Sequence, residues 1–222
     1  MPSDQSIRVL VVDDDHLVCT GLTHILSTAD DIAVVGSAAN GAEALESVMR
    51  HFPDVVLMDI QMPVMDGIEA TRRITNMPRP PQVVALTSFD AEDYVFRALE
   101  AGAAGYILKD IAPDDLKEAV RTIHGGDGFV SPRATTGLIR AHRVAQTSTR
   151  RFDAVERLSL LTAREREMAI LVAQGMSTRD IAEATYASEA TVKTHLGRIM
   201  TRTDAPNRVG VAVLVALAGL LD

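Results

Sequence analysis

From Ile7 to about Gly125, short runs of aliphatic and β-branched residues alternate with longer segments whose apolar positions recur every three to four residues. The runs are IRVLVV, IAVVG, DVVLM, QVVALT and AGYILK, each nearly continuous in apolar character and short enough for a strand covered on both faces. Helices are expected between them near Leu17–Ser27, Gly41–Arg50, Gly67–Thr75, Ala91–Ala101 and Pro113–His124. Five strand–helix units in register predict a parallel sheet shielded on both sides, with right-handed crossovers. Periodicity alone leaves the order of the strands open.

Past Gly125 the pattern changes. A helix is expected over Pro132–Ala145, followed by the polar stretch QTSTRRFDAVE, read as an interdomain linker. Four helical segments then follow at about Thr162–Gln174, Thr178–Thr185, Glu189–Arg202 and Arg208–Leu220, with no strand pattern among them. Thr162 with Glu165 makes a capping box, and Ser188 is placed to cap the third of these helices. The division expected is therefore residues 1–128 for an α/β domain, 129–157 for a helix and linker, and 158–222 for an all-α domain. Val209 to Leu221 is the longest apolar stretch, but Gly210 and Gly219 interrupt it. It is shorter than the roughly 20 residues that a membrane span needs. It reads as a packing helix, and no membrane association is expected.

Charge separates the two halves. Residues 1–149 hold 12 basic and 21 acidic side chains, a balance of -9, whereas residues 150–222 hold 10 and 9, a balance of +1. The asymmetry points to separate tasks, although +1 by itself says little about nucleic acid. The N-terminus lacks the basic start and cleavage site of a signal peptide, so a cytoplasmic location is expected. Cys19 is the single cysteine, which excludes an internal disulfide; beside Leu17, Val18 and Leu22 it reads as a core residue.

The acids sit where such a sheet gathers its loops. Asp13, Asp14 and Asp15 follow the first run, Asp59 the third, Thr87 ends the fourth, and Lys109 follows the fifth. Loops at the carboxyl ends of parallel strands converge, so these residues are candidates for one crevice. Clustered carboxylates repel unless a cation neutralises them, and Mg²⁺ suits oxygen ligands. With an ammonium and a hydroxyl alongside, such a pocket stabilises a transferring phosphoryl group, and Asp59 is the natural nucleophile. The plainer alternative is that each aspartate serves its loop as a turn or capping residue.

VVDDDH, LMDIQMPVMDG, ALTS and GYILKD, in this order and spacing, resemble the receiver domain of response regulators over roughly Ile7–His124. The resemblance implies a doubly wound five-stranded parallel sheet in the order 2-1-3-4-5. It further implies that a sensor histidine kinase phosphorylates Asp59, that Asp14 ligates Mg²⁺ directly and Asp13 through water, and that the backbone carbonyl of Gln61 is a third ligand. Lys109 would pair with the acyl phosphate and Thr87 would close on a phosphoryl oxygen. Tyr106 matches an aromatic switch position, with a half-buried strand tyrosine as its alternative. Met62, Pro63 and Gly67 would shape the loop after Asp59, and Asp15 is an extra acid.

LTAREREMAILVAQGMSTRDIAEATYASEATVKTHLGRIMTRT resembles the LuxR-type helix-turn-helix, over about Leu160–Leu220. Ile181 and Ala182 would pack a scaffold helix, Ala187 and Ser188 make the turn, and Glu189–Arg202 would lie in the major groove of double-stranded DNA. Val192, Leu196 and Ile199 face the core at helical spacing, which leaves Thr191, Lys193, Thr194 and Arg198 as DNA-contact candidates. Gly197, where some relatives carry a basic residue, and Thr203, where the family usually has leucine, depart from its pattern. His195 is open between a contact and a structural role. The resemblance assigns the last helix to a homodimer interface, with ordinary core packing as the alternative.

Together these readings describe a two-component transcriptional regulator of the NarL/LuxR type, not a metabolic enzyme, although its receiver would assist its own phosphorylation and dephosphorylation. A phosphohydrolase or flavin binder on the same sheet is disfavoured because Asp-Asp-Asp follows the first strand in place of an alternating Asp-x-Asp loop or a hydroxyl-rich phosphate cradle. A regulator working through protein contacts alone is the other rival.

Overall fold

In a computed structural model of the protein, residues 6–87, 92–130 and 148–221 are described, with backbone alone at 92, 93, 95, 96, 129, 130 and 148–150. The helix expected at Pro132–Ala145 lies outside them. The chain divides into two compact units, residues 1–137 and 138–222.

The first unit carries strands β1 (Ile7–Val12), β2 (Ile32–Ala38), β3 (Val55–Asp59), β4 (Gln82–Thr87), β5 (Gly105–Leu108) and β6 (Phe129–Val130). Helices α1 (His16–Leu26), α2 (Gly41–His51), α3 (Gly67–Thr75), α4 (Glu92–Glu100) and α5 (Pro113–His124) connect the first five and follow β5. The sheet order is β2-β1-β3-β4-β5-β6 and the pairings are parallel, so the expected order of five strands is present. Two-residue β6 adds an edge beside Gly105 and Tyr106. Such a segment is too short to show a period of two, which is why the sequence pattern did not reveal it.

Continuous apolarity in the strands follows from double coverage. Val9, Val11, Leu57 and Ile107 point to one face, where Leu22 and Leu26 of α1 and Leu116, Val120 and Ile123 of α5 bury them. Leu10, Val12, Val56 and Met58 point to the other, against Ala44 and Val48 of α2 and Ala70 and Ile74 of α3. The helices on both faces start at the same sheet edge, and polar caps fix where. Asp15 accepts the Leu17 N–H, Asn40 those of Ala42 and Glu43, and Asp66 that of Glu69.

The second unit comprises α6 (Ser148–Ser159), α7 (Ala163–Ala173), α8 (Thr178–Thr185), α9 (Glu189–Thr203) and α10 (Arg208–Leu217). The four expected helices are present. The stretch expected to be a linker, QTSTRRFDAVE, is instead largely helical: α6 begins at Ser148 and buries Ala154 and Leu158 in the core of this unit. Its apolar residues are sparse among Ser, Thr and Arg, so composition concealed a stripe at helical spacing. Arg157 adds a polar anchor, donating to the carbonyls of Thr203 and Asp204 (2.6 and 2.5 Å), the end of α9 where the helix dipole favours a cation.

Met168, Ile181, Val192, Leu196, Ile199, Val211, Leu214 and Val215 complete this core. Thr203 is fully buried, and its hydroxyl donates to the Ile199 carbonyl (2.7 Å), so a polar residue is satisfied where leucine was expected. Capping boxes start α7 at Thr162/Glu165 and α8 at Ser177/Asp180.

Gly197 lies inside α9, and a Cβ built there meets nothing within 4 Å. Gly197→Ala therefore gains helix propensity without a clash, and is expected to stabilise this unit by about 0.5–1 kcal/mol in denaturant unfolding. A loss of stability would mean that the backbone at this position is not helical.

Candidate functional site

Strands β1, β3, β4 and β5 run in the same direction, so the residues at their carboxyl ends share one rim of the sheet. Asp13 follows β1, its N–H held by the Ala38 carbonyl at 3.0 Å; Lys109 follows β5, its N–H held by the Thr87 carbonyl at 2.8 Å. Asp59 and Thr87 are the last residues of β3 and β4. One carboxylate oxygen from each of Asp13, Asp14 and Asp59 lies within 4.8 Å of the others. Lys109 Nζ stands 2.5 Å from Asp13 Oδ2 and 3.1 Å from Asp59 Oδ2.

Burial sets the electrostatics. Asp13 and Asp59 are buried while Asp14 is exposed. Loss of water raises the Asp59 carboxyl above its ordinary range, and the negative charge of Asp13 adds to the rise; Lys109 and the Ile60 N–H, 2.7 Å from Oδ1, oppose it. For Lys109, burial works against the ammonium, but its close pairing with the Asp13 and Asp59 carboxylates outweighs it and holds the group above its usual range. Asp13 Oδ1 accepts the Asp15 N–H (3.0 Å). Asp13 Oδ2, fully enclosed, meets Lys109 as an ion pair outside the alignment of a hydrogen bond. Two of the three clustered carboxylates thus share one ammonium, and hard oxygen donors with an incompletely satisfied buried atom fit a divalent cation such as Mg²⁺.

Thr87 is buried at the rim, and Tyr106 on β5, paired with Ala85, is fully buried, more so than the half-buried strand tyrosine weighed as its alternative. Gln61 is exposed. Its side-chain amide donates to Tyr94 Oη at 2.9 Å, a contact to α4 that the sequence did not suggest. Asp14, Gln61, Pro63, Asp66, Tyr94 and Arg97 line a cleft of about 430 Å³ beside the acids. Asp15, anticipated as an extra acid, caps α1, a role that its place just before a helix could have signalled. Cys19 is buried with its Sγ 3.5 Å from the Asp13 carbonyl; burial, then Asp13, raises its thiol, in keeping with a core residue.

The loop between Asp59 and α3 is tightly constrained. Val64 takes φ +68, and the Met65 N–H reaches back to the Pro63 carbonyl (2.7 Å), a strained γ-turn in which a β-branched residue is costly. The Gly67 N–H donates to the Ile60 carbonyl (2.9 Å), bringing the two backbones together. A Cβ on Gly67 would lie 1.9 Å from the Asp59 carbonyl oxygen, so glycine is required by space at this point.

In the second unit, Thr191, Lys193, Thr194 and Arg198 are exposed on α9, whereas Val192, Leu196 and Ile199 are buried. At 100° per residue these four residues and Gly197 fall on one open arc. The Thr191 hydroxyl pairs with that of Ser188 (2.8 Å) and the Thr194 hydroxyl donates to the Ala190 carbonyl (2.9 Å). Arg202, also exposed on α9, is tied to Glu165 at 2.6 Å. His195 is partly buried with an enclosed Nδ1 that has no hydrogen-bond partner among the described residues. Val209, Val211, Val213, Leu214 and Val215 of α10 are buried, so most of its apolar surface is already used.

Residues 9–121 match the family described as "Response regulator receiver domain", and residues 159–215 that described as "Bacterial regulatory proteins, luxR family". The chain is 35% identical over 217 residues to the oxygen regulatory protein NreC of Staphylococcus carnosus, covering 97% of this chain and 100% of the relative. It is 36% identical over 220 residues to the transcriptional regulatory protein DegU of Brevibacillus brevis, covering 95% and 93%. The crystal structure of the response regulator ChrA, from a heme-sensing two-component system, is similar at TM-score 0.55 and 36% identity, covering 98% of this chain and 100% of that one.

Gly67→Ala forces the Asp59 backbone to move and is expected to cost about 1–3 kcal/mol or more in denaturant unfolding, whereas retained stability would mean that the close approach is absent. In the second unit the Thr162 N–H, its hydroxyl and Arg202 hold the buried Glu165 carboxyl below its ordinary range against the penalty of burial. Its stabilising contribution is therefore complete above the unfolded-chain value and is lost as pH falls through the folded one. Glu165→Gln should lower stability at neutral pH and flatten the acid side of a stability–pH curve; an unchanged slope would contradict this.

Proposed function

The chain belongs to the response regulators in which a receiver domain precedes a LuxR-type DNA-binding domain, two-component regulators of transcription, and on that premise we propose that phosphoryl transfer to Asp59 is its switch. The observation that carries this reading is the Lys109 ammonium shared by Asp13 and Asp59, with Asp14 alongside. An Asp59 oxygen attacks the phosphorus of a histidine kinase's phosphohistidine. The P–N bond breaks as the new P–O bond forms, and the leaving imidazole keeps the electron pair. Lys109 then faces a phosphoryl oxygen, and charge on the transferring group develops beside a fixed cation.

Asp13, Asp14, Asp59 and the Gln61 carbonyl would hold Mg²⁺, which when bound neutralises negative charge on the phosphoryl oxygens. The Thr87 hydroxyl closes on the phosphoryl group, and the β4–β5 rim around Tyr106 repacks with it. The same residues, with water as the nucleophile, return Asp59 to its free carboxylate.

The output is binding to double-stranded DNA as a homodimer. Lys193 and Arg198 meet phosphates or guanine edges, and Thr191 and Thr194 lie on the same open arc. Val211, Leu214 and Val215 of α10 are buried in the core of its own unit, so dimerisation on DNA would rely on the other positions of this helix or on the receiver. A protein acting in this way works inside the cell; among the described residues no helix is long and apolar enough to cross a membrane.

Incubation with acetyl phosphate and Mg²⁺ is expected to add one phosphoryl group to the wild-type chain and none to Asp59→Asn, and to strengthen DNA binding in parallel. Lys109→Ala should respond weakly to the phosphodonor. A phosphoryl group gained equally by Asp59→Asn would remove Asp59 from its role.

A further inference from the structure

We propose that the cleft beside the acid cluster is a subsite for the leaving group of a small acyl phosphate, in which Arg97 receives the departing carboxylate. This rests on the reading of Asp59 as phosphoacceptor. The cleft, about 430 Å³, is lined by Asp14 and Gln61 from the acceptor side and by Tyr94 and Arg97 of α4. Its remaining charged lining residue, Asp66, is an acid, so Arg97 is the cation of this cleft.

Among the described residues Arg97 takes part in no ion pair. Its guanidinium lies 5.8 Å from the centre of the Tyr94 ring, and the Tyr94 hydroxyl accepts from the Gln61 amide at 2.9 Å. An aromatic face thus orients the cation. That aromatic is in turn tethered to the residue two places after Asp59, so the exposed guanidinium stands over a ring joined to the acceptor loop. A planar guanidinium offers two parallel N–H groups, the pattern a carboxylate accepts.

The step balances without further reagents. One Asp59 oxygen forms a bond to phosphorus, the bond from phosphorus to the acyl oxygen breaks, and its electron pair leaves as a carboxylate. No proton, oxidant or reductant is needed. Because charge builds on that carboxylate as the bond breaks, Arg97 interacts more strongly with the transition state than with the bound donor. A donor that leaves through nitrogen develops no such anion, so the effect is selective for the donor.

Phosphorylation of the full chain by acetyl phosphate and by phosphoramidate, both with Mg²⁺, separates the possibilities. Arg97→Gln is expected to slow phosphorylation by acetyl phosphate about fivefold, chiefly in the maximal rate, and to leave the phosphoramidate rate unchanged. Arg97→Lys, which keeps the charge without the fork, should recover part of the loss. Equal slowing with both donors, or with neither, overturns the proposal. Failure of the wild-type chain to accept phosphate from either donor overturns the assignment of Asp59 and this proposal with it, which distinguishes that failure from a fault in Arg97 alone.

Discussion

One ammonium holds the receiver's rim together. Lys109 reaches Asp13 and Asp59 from a third strand, and without it two buried carboxylates and an exposed one would face each other within 4.8 Å in a medium that screens them poorly. The arrangement is only partly compensated. Burial still raises the Asp59 carboxyl, and one Asp13 oxygen is enclosed without a well-formed hydrogen bond. A site left short of positive charge in this way is suited to take up a cation and, with it, a phosphoryl group whose own charge needs company.

Everything around the rim serves to keep those groups in reach. Parallel strands bring the carboxyl ends of β1, β3, β4 and β5 together, and apolar residues on both faces of each strand fix the register by burying it. Asp15 and Asp66 cap helices that start beside the cluster, so acids in the same loops divide between structure and chemistry. Gly67 allows α3 to begin against the Asp59 carbonyl, and Val64 carries the strain of the turn before it. Beside the rim, Asp14, Gln61, Tyr94 and Arg97 line the cleft, and the Gln61 amide ties the loop after Asp59 to α4.

Much of this was legible in the chain. Strand and helix patterns located the five βα units, and the position of acids, hydroxyl and lysine just after strands was enough to nominate Asp13, Asp14, Asp59, Thr87 and Lys109 for one crevice. Strand order came only from the family resemblance, since periodicity reports burial and not neighbours. The helix at Ser148–Ser159 was hidden because Ala154 and Leu158 are its main core residues and polar residues surround them. Arg202 lies exposed on its helix, and its pairing with Glu165, buried by its own capping box but within reach of the long side chain, was not legible from local spacing. The Gln61–Tyr94 contact joins residues 33 apart through a side-chain geometry that no local pattern encodes.

The central claim is that Asp13, Asp14 and Asp59 form one cation-binding pocket organised by Lys109. Calorimetric titration of Mg²⁺ into the unphosphorylated chain tests it most directly. The account predicts a single saturable site that is weakened severely in Asp14→Asn and in Asp13→Asn while their unfolding midpoints without Mg²⁺ stay close to that of the parent chain. Absence of saturable binding, or binding that both variants retain unchanged, would contradict it.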